Sequence, residues 1–301
     1  MKKPLSLIKA LSLSIGELNQ PVITKYELGV IFFRLCQTGK YEGRAVKMPK
    51  SGPDRQTFSN KLSDLREAGV LNPFQDFDKA FRIIGKNIYM EEEVACTIDP
   101  FSFISHLSAM DYHGLTDRMP KIIVLSSPAQ KDWKQFAARK MEKDLGEDLD
   151  LYKQNRLPEL TRIRFEKIKK KSVHNYSSIH LGAYKSVKDK SLRVSTIGRT
   201  FLDMLRRPDL CGGIYHVIDV YREYAGPYLN LIIDEFNQHG KPIDKVRAGY
   251  ILEELCGISD SAINEWQRYV TRGGSRKLDP AEEYSPIYSE RWCLSINVEI
   301  D

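Results

Sequence analysis

The sequence predicts an α+β chain, with an N-terminal winged helix-turn-helix domain over residues 1–90 and a larger mixed α/β domain over residues 91–301. Three observations carry that prediction. Helical apolar spacings followed by a loosely alternating stretch fill the first ninety residues, a surplus of positive charge is confined to them, and from Glu91 onward helix and strand patterns interleave. Residues 1–90 hold 15 Lys and Arg against 8 Asp and Glu, whereas the remaining 211 residues hold 31 against 32. Net charge gathered on one small domain fits a polyanion binder, because phosphate neutralisation and counterion release supply most of the affinity of such proteins. A chain of 301 residues has room for two domains, each with its own core.

Leu5, Ile8, Leu11 and Ile15 have the spacing of a first amphipathic helix. Lys2 and Lys3 ahead of that apolar stretch imitate a signal peptide, but Lys9 interrupts the run and no small-residue cleavage site follows. Thr24 and Glu27 form a capping box for a second helix, along which Leu28, Ile31, Phe32 and Leu35 make an apolar stripe that Gly39 closes. Lys40 to Pro53 reads as a polar, basic connection that includes Arg44, Lys47 and Lys50. Asp54 then caps a third helix that buries Phe58, Leu62 and Leu65 and stops at Gly69. Its other face carries Arg55, Gln56, Ser59, Asn60, Lys61 and Ser63. Arg, Asn and Gln have the donor and acceptor geometry of base edges, and Ser and Lys commonly meet phosphates. Phe74 to Met90 suits a β-hairpin wing that turns at Gly85-Lys86-Asn87, with Arg82 and Lys86 available to the DNA backbone. Three helices and a hairpin also serve as a protein-docking module, and that alternative stays open on spacing alone.

In the second domain the Glu91-Glu92-Glu93 run marks a boundary, and Asp99-Pro100 reads as a helix start. Ile122 to Leu125 forms a strand, Trp133 to Arg156 a charged helical stretch, and residues 160–168 and 177–187 two further strands. A strand and helix follow over residues 192–206, then a stop at Gly212-Gly213, helices to about Cys256, and a closing strand from Trp292 to Val298. Cys36, Cys96, Cys211, Cys256 and Cys293 are odd in number and unpaired in spacing, which favours free thiols in a reducing, cytoplasmic setting. No apolar run approaches the ~18 residues of a membrane span.

The run SAMDYHGLTDRMPKIIVLSS, Ser108 to Ser127, resembles the helix and following strand of the AbiEi family of antitoxin-like transcriptional regulators, and VSTIGRTFLDMLRRPDLCGG, Val194 to Gly213, resembles its second block. With the N-terminal domain the resemblance spans most of the chain. It implies an antitoxin of a type IV toxin-antitoxin or phage-defence operon, which represses its own promoter and opposes a nucleotidyltransferase-like toxin without requiring a stable complex with it. The expected partners are therefore operator DNA and, functionally, that toxin, with no membrane involved. Direct neutralisation of the toxin by contact is the alternative.

The DNA-binding candidates are Lys47, Lys50, Arg55, Gln56, Ser59, Asn60, Lys61, Arg82 and Lys86. In the second domain, His113, Lys169, Lys170, Lys171, Arg199 and Asp203 are candidates for a functional surface. Gly114 puts His113 at a helix end, where the dipole favours its protonated form. Arg199, Thr200 and Asp203 either line a site or pin a helix to a sheet. The basic strip Lys153 to Lys171 either touches flanking nucleic acid or is a solvated hairpin edge. No catalytic residue, metal or cofactor is expected, and the chain reads as a non-enzyme. His106 and His113 lack a third ligand, Asp111, His113 and Asp117 diverge at a helix end, and the glycine pairs lack a phosphate-loop context. The Gly-Ser and paired-aspartate pattern of a nucleotidyltransferase is missing too.

Overall fold

The computed structural model describes residues 3–49, 52–74, 77–86, 89–272 and 276–300. The chain forms two compact units, Met1–Ser102 with Ser127–Ser172 and Ser186–Arg193, and Phe103–Ser126 with Val173–Lys185 and Val194–Asp301. The division expected at Met90 is therefore corrected: the chain passes between units several times. The cause is apolar. Met141, Leu145, Tyr152 and Leu157, far along the sequence, bury in the same core as Leu11, Phe32, Phe33 and Leu65.

In the first unit the chain runs β1 (Leu5–Ser6), α1 (Leu7–Gly16), β2 (Val22–Thr24), α2 (Lys25–Thr38), β3 (Lys40–Tyr41), β4 (Arg44–Lys47), α3 (Arg55–Glu67), β5 (Leu71–Phe74) and β6 (Phe77–Ile83). The capping box of α2 is present: Glu27 N donates to Thr24 Oγ1 at 3.2 Å and Thr24 N donates to the Glu27 carboxylate at 2.9 Å. Gly39 ends the helix at φ 61°, a left-handed conformation that glycine adopts without a Cβ clash. The basic connection after it contains a hairpin, and β4 also pairs in parallel with β1, Leu5 opposite Val46. A second sheet has the order β2-β6-β5, all antiparallel, with Val22 opposite Arg82 and Leu71 opposite Ile83. Phe32 and Phe58 meet edge to face at 5.6 Å and tie α2 to α3.

The hairpin reverses between Phe74 and Phe77, not at Gly85-Lys86-Asn87, of which Asn87 lies outside the described residues. Phe74 stacks on Phe77 across the reversal at 5.7 Å, a contact that the later turn would have forfeited. Glu91–Ile98 is a helix and not a boundary; its three glutamates sit in the first turn, where the helix dipole favours acids. Asp99 ends that helix instead of starting one, its Oδ1 accepting from Phe101 N and Trp133 Nε1. Helices Gln130–Leu145 and Leu149–Gln154 follow as expected. Of residues 160–168 only Lys167–Ile168 is strand, because Arg162 is drawn aside to the Ser127 hydroxyl and the Pro128 carbonyl.

The second unit combines a sheet with a helical layer. Phe103–Ile104 is central, parallel to Arg193–Ser195 and antiparallel to Ile122–Ser127. Helices Ile197–Arg206, Ile214–Tyr224, Leu229–His239 and Pro242–Tyr250 enclose Phe201, Tyr221, Ile232 and Phe236, with Trp266 and Trp292 completing the core. The expected closing strand shrinks to Leu294–Ser295, paired with Tyr288–Ser289. Of residues 177–187 only Ser177, the end of a strand Lys171–Ser177, and Tyr184–Ser186 are strand.

Candidate nucleic-acid interface

Helix α3 starts at Asp54, whose Oδ1 accepts from Thr57 N at 2.8 Å; that bond holds the carboxyl below its usual range. Phe58 and Leu65 are buried, which fixes the rotation of the helix and turns Arg55, Gln56, Ser59, Asn60 and Ser63 to solvent. Gln56 Nε2 donates to Asn60 Oδ1 at 3.0 Å, so the two amides are aligned on adjacent turns. The predicted face is thus brought together, apart from Lys61, which is half-buried and paired with Asp64 at 2.5 Å.

Arg55, Gln56 and Ser59 line an open cleft of about 610 Å³ with Asp54 and with Gln154, Asn155 and Arg156. The last three residues belong to the same unit and fall within the basic strip Lys153 to Lys171, for which the sequence leaves open a nucleic-acid contact or a solvated edge. Their place beside α3 has no local signal, because it depends on the burial of Tyr152 and Leu157.

The remaining N-terminal candidates are spread over other elements. Lys47 is exposed at the end of β4. Arg82 and Lys86 are half-buried at the end of the hairpin opposite its reversal, so they do not form a wing tip. Lys50 lies outside the described residues.

Two of the three lysines near residue 170 are consumed by internal pairs. Lys169 Nζ lies 3.1 Å from Glu91 and over the Tyr89 ring, and Lys171 Nζ lies 2.7 Å from Glu92; Lys170 is exposed. Arg199 and Asp203 form a fully buried pair at 2.7 Å, and the guanidinium also donates to His180 O and Ser178 Oγ. With Thr200 Oγ1 at 2.9 Å from Ser195 Oγ, this segment ties its helix to neighbouring strand and loop.

His113 departs from expectation. Burial lowers its pKa and outweighs the bond from Nε2 to Ser195 O at 2.7 Å, so the neutral ring is favoured. His106, which spacing placed with His113, is buried at φ 51°; desolvation pushes its pKa down to about 4. Among the described residues no three His, Cys, Asp or Glu side chains gather as metal ligands, and no helix is long and apolar enough to cross a membrane.

No family model matches the sequence, and no curated protein matches it. Among solved structures, the RV2827C protein from Mycobacterium tuberculosis is similar with a TM-score of 0.49 and 12% identity, over 96% of this chain and 90% of that one.

Proposed function

We propose that the first unit binds duplex DNA through the exposed face of α3, and that the chain is an autorepressing antitoxin of the AbiEi type. The order α1, β2, α2, α3, β5, β6, with β6 between β2 and β5, supports this reading, which takes the unit as a winged helix-turn-helix with an extra hairpin between its second and third helices. The observation that carries the reading is the aligned polar face of Arg55, Gln56, Ser59 and Asn60 in a unit with 31 Lys and Arg against 21 Asp and Glu. Arg and paired amides suit bidentate contacts to guanine and adenine edges, and the charge surplus supplies the non-specific part of the affinity. The toxin expected from the resemblance would be opposed functionally. A titration of DNA from upstream of the coding sequence against wild type, Arg55→Ala and Asn60→Ala tests the reading. Tight binding by wild type that both variants weaken supports it, and equal binding by all three removes α3 from the reading role.

A second reading has one observation in its favour. In the second unit an open groove of about 980 Å³ is lined by Ile287, Tyr288, Ile296 and Ile300, and Ile287 is 69% exposed. Apolar side chains left in solvent suit a protein partner, as an antitoxin acting by contact would need. Co-purification of a toxin that survives high salt distinguishes the two.

A further inference from the structure

We infer that Arg156 is a second arginine of the DNA surface, gripping the phosphate backbone beside the bases that face α3. The inference rests on the reading above and extends it to a segment about a hundred residues away in sequence. Arg156 is exposed and lines the cleft with Arg55, Gln56 and Ser59. The carboxylate in that cleft, Asp54, is engaged by the Thr57 amide.

Its backbone is held in place. Arg156 has φ 53°, a left-handed conformation that costs an L residue with a Cβ and that glycine adopts freely. Buried residues on both sides impose it. Tyr152 is fully buried, its ring edge-to-face with Phe33 at 5.3 Å and its hydroxyl donating to Pro158 O at 2.7 Å. A Cβ at Gly29 of α2 would lie 2.5 Å from that hydroxyl, so glycine there admits the tyrosine. Leu157 is buried on the other side, and Arg156 N donates to Lys153 O at 2.9 Å to close the turn. For stability alone, a glycine at 156 would serve better; an arginine there sets a long cationic side chain on a fixed stretch of backbone at the cleft rim.

Among the described residues, charge accounting leaves Arg156 free of carboxylates, as it leaves Arg139 and Arg164, and of these it is Arg156 that lines the α3 cleft. In the segment Ser127–Ser172, Lys140 pairs with Asp144, Arg162 with Asp99, Lys169 with Glu91 and Lys171 with Glu92. Arg156 has no carboxylate within ion-pair distance among the described residues. Unneutralised arginine next to a base-reading face matches the backbone of a duplex, which carries a charge every ~1.7 Å along its axis.

The test uses the full chain and two duplexes of equal length, one from upstream of the coding sequence and one unrelated, titrated by fluorescence anisotropy between 50 and 200 mM salt. Arg156→Ala is expected to weaken binding to both duplexes alike, about fivefold to tenfold near 0.1 M salt, and to flatten the salt slope by about 0.9. Arg156→Gly is expected to bind as poorly while melting at a higher temperature, which separates lost contact from lost folding. Lys131→Ala, an exposed charge elsewhere in the same unit, serves as the control and is expected to leave the slope unchanged. If Arg55→Ala weakens binding and both Arg156 variants behave like wild type, the inference is overturned and the α3 reading stands. If wild type binds neither duplex at 50 mM salt, both are overturned.

Discussion

In the second unit Arg199, Arg206, Arg207 and Arg291 each end on a carboxylate, at N–O distances of 2.5 to 2.7 Å, whereas in the first unit Arg55 and Arg156 face solvent around one cleft. The totals agree with that contrast. The second unit holds 15 Lys and Arg against 19 Asp and Glu, and the first holds 31 against 21. An arginine inside an ion-pair network holds elements together and has little charge left to offer a ligand. One left unpaired beside polar side chains of fixed rotation is available to a polyanion. The two regions therefore put arginine to different use: in the second it ties elements together, and in the first Arg55 and Arg156 stay unpaired, as the proposed DNA surface requires.

The largest effect that can break this contrast lies in the second unit. Removing the carboxylate in Asp203→Ala leaves the Arg199 guanidinium buried and unpaired, and is expected to lower stability by roughly 3–5 kcal/mol in urea unfolding. Any protein still folded is expected to bind DNA like wild type. A loss under ~1 kcal/mol contradicts the cohesive role.

Acid comes next. His106 is neutral in the folded state, with its pKa near 4 and an ordinary value of 6.5 when unfolded. Between those two values the unfolded chain binds the extra proton, so the stability is full above about 6.5 and is lost as pH falls towards 4, by roughly 3 kcal/mol. Unfolding free energies measured across that window are expected to slope less in His106→Asn. An unchanged slope assigns the acid sensitivity elsewhere.

In the first unit, Arg55→Ala is expected to cost roughly 1–3 kcal/mol of DNA affinity while stability moves by less than ~0.5 kcal/mol. The smallest effect sharpens the division within that unit. Lys169→Ala breaks a half-exposed pair with Glu91 and is expected to cost at most ~1 kcal/mol of stability, with no change in the salt slope of binding. A flatter slope in that variant means that Lys169 leaves Glu91 for a phosphate.

Local signals were legible in the sequence. The Thr24–Glu27 box, Gly39, the Asp54 cap and the Phe58 and Leu65 positions each depend on residues a few places apart, and they set the outward face of α3. Asp99-Pro100 misled because proline follows helix ends as readily as it opens helices. The β1–β4 pairing joins Leu5 to Val46 and could not be read from either strand, which are two and four residues long. Arg156 belongs to the basic strip read from the sequence, but its place beside α3 was illegible for the same kind of reason: it depends on the packing of Tyr152 on Phe33, a contact without a local pattern. The sign of the His113 shift was missed because it is set by burial, which the chain alone does not reveal.

The most direct test of the central claim is the salt dependence of binding by the full chain to duplex DNA from upstream of its coding sequence. The account predicts that log K falls linearly with log salt, by about 0.9 for each phosphate engaged, and that the slope flattens when Arg55 and Arg156 are both replaced by alanine. Binding that ignores salt, or a slope that is the same in the double variant, contradicts it.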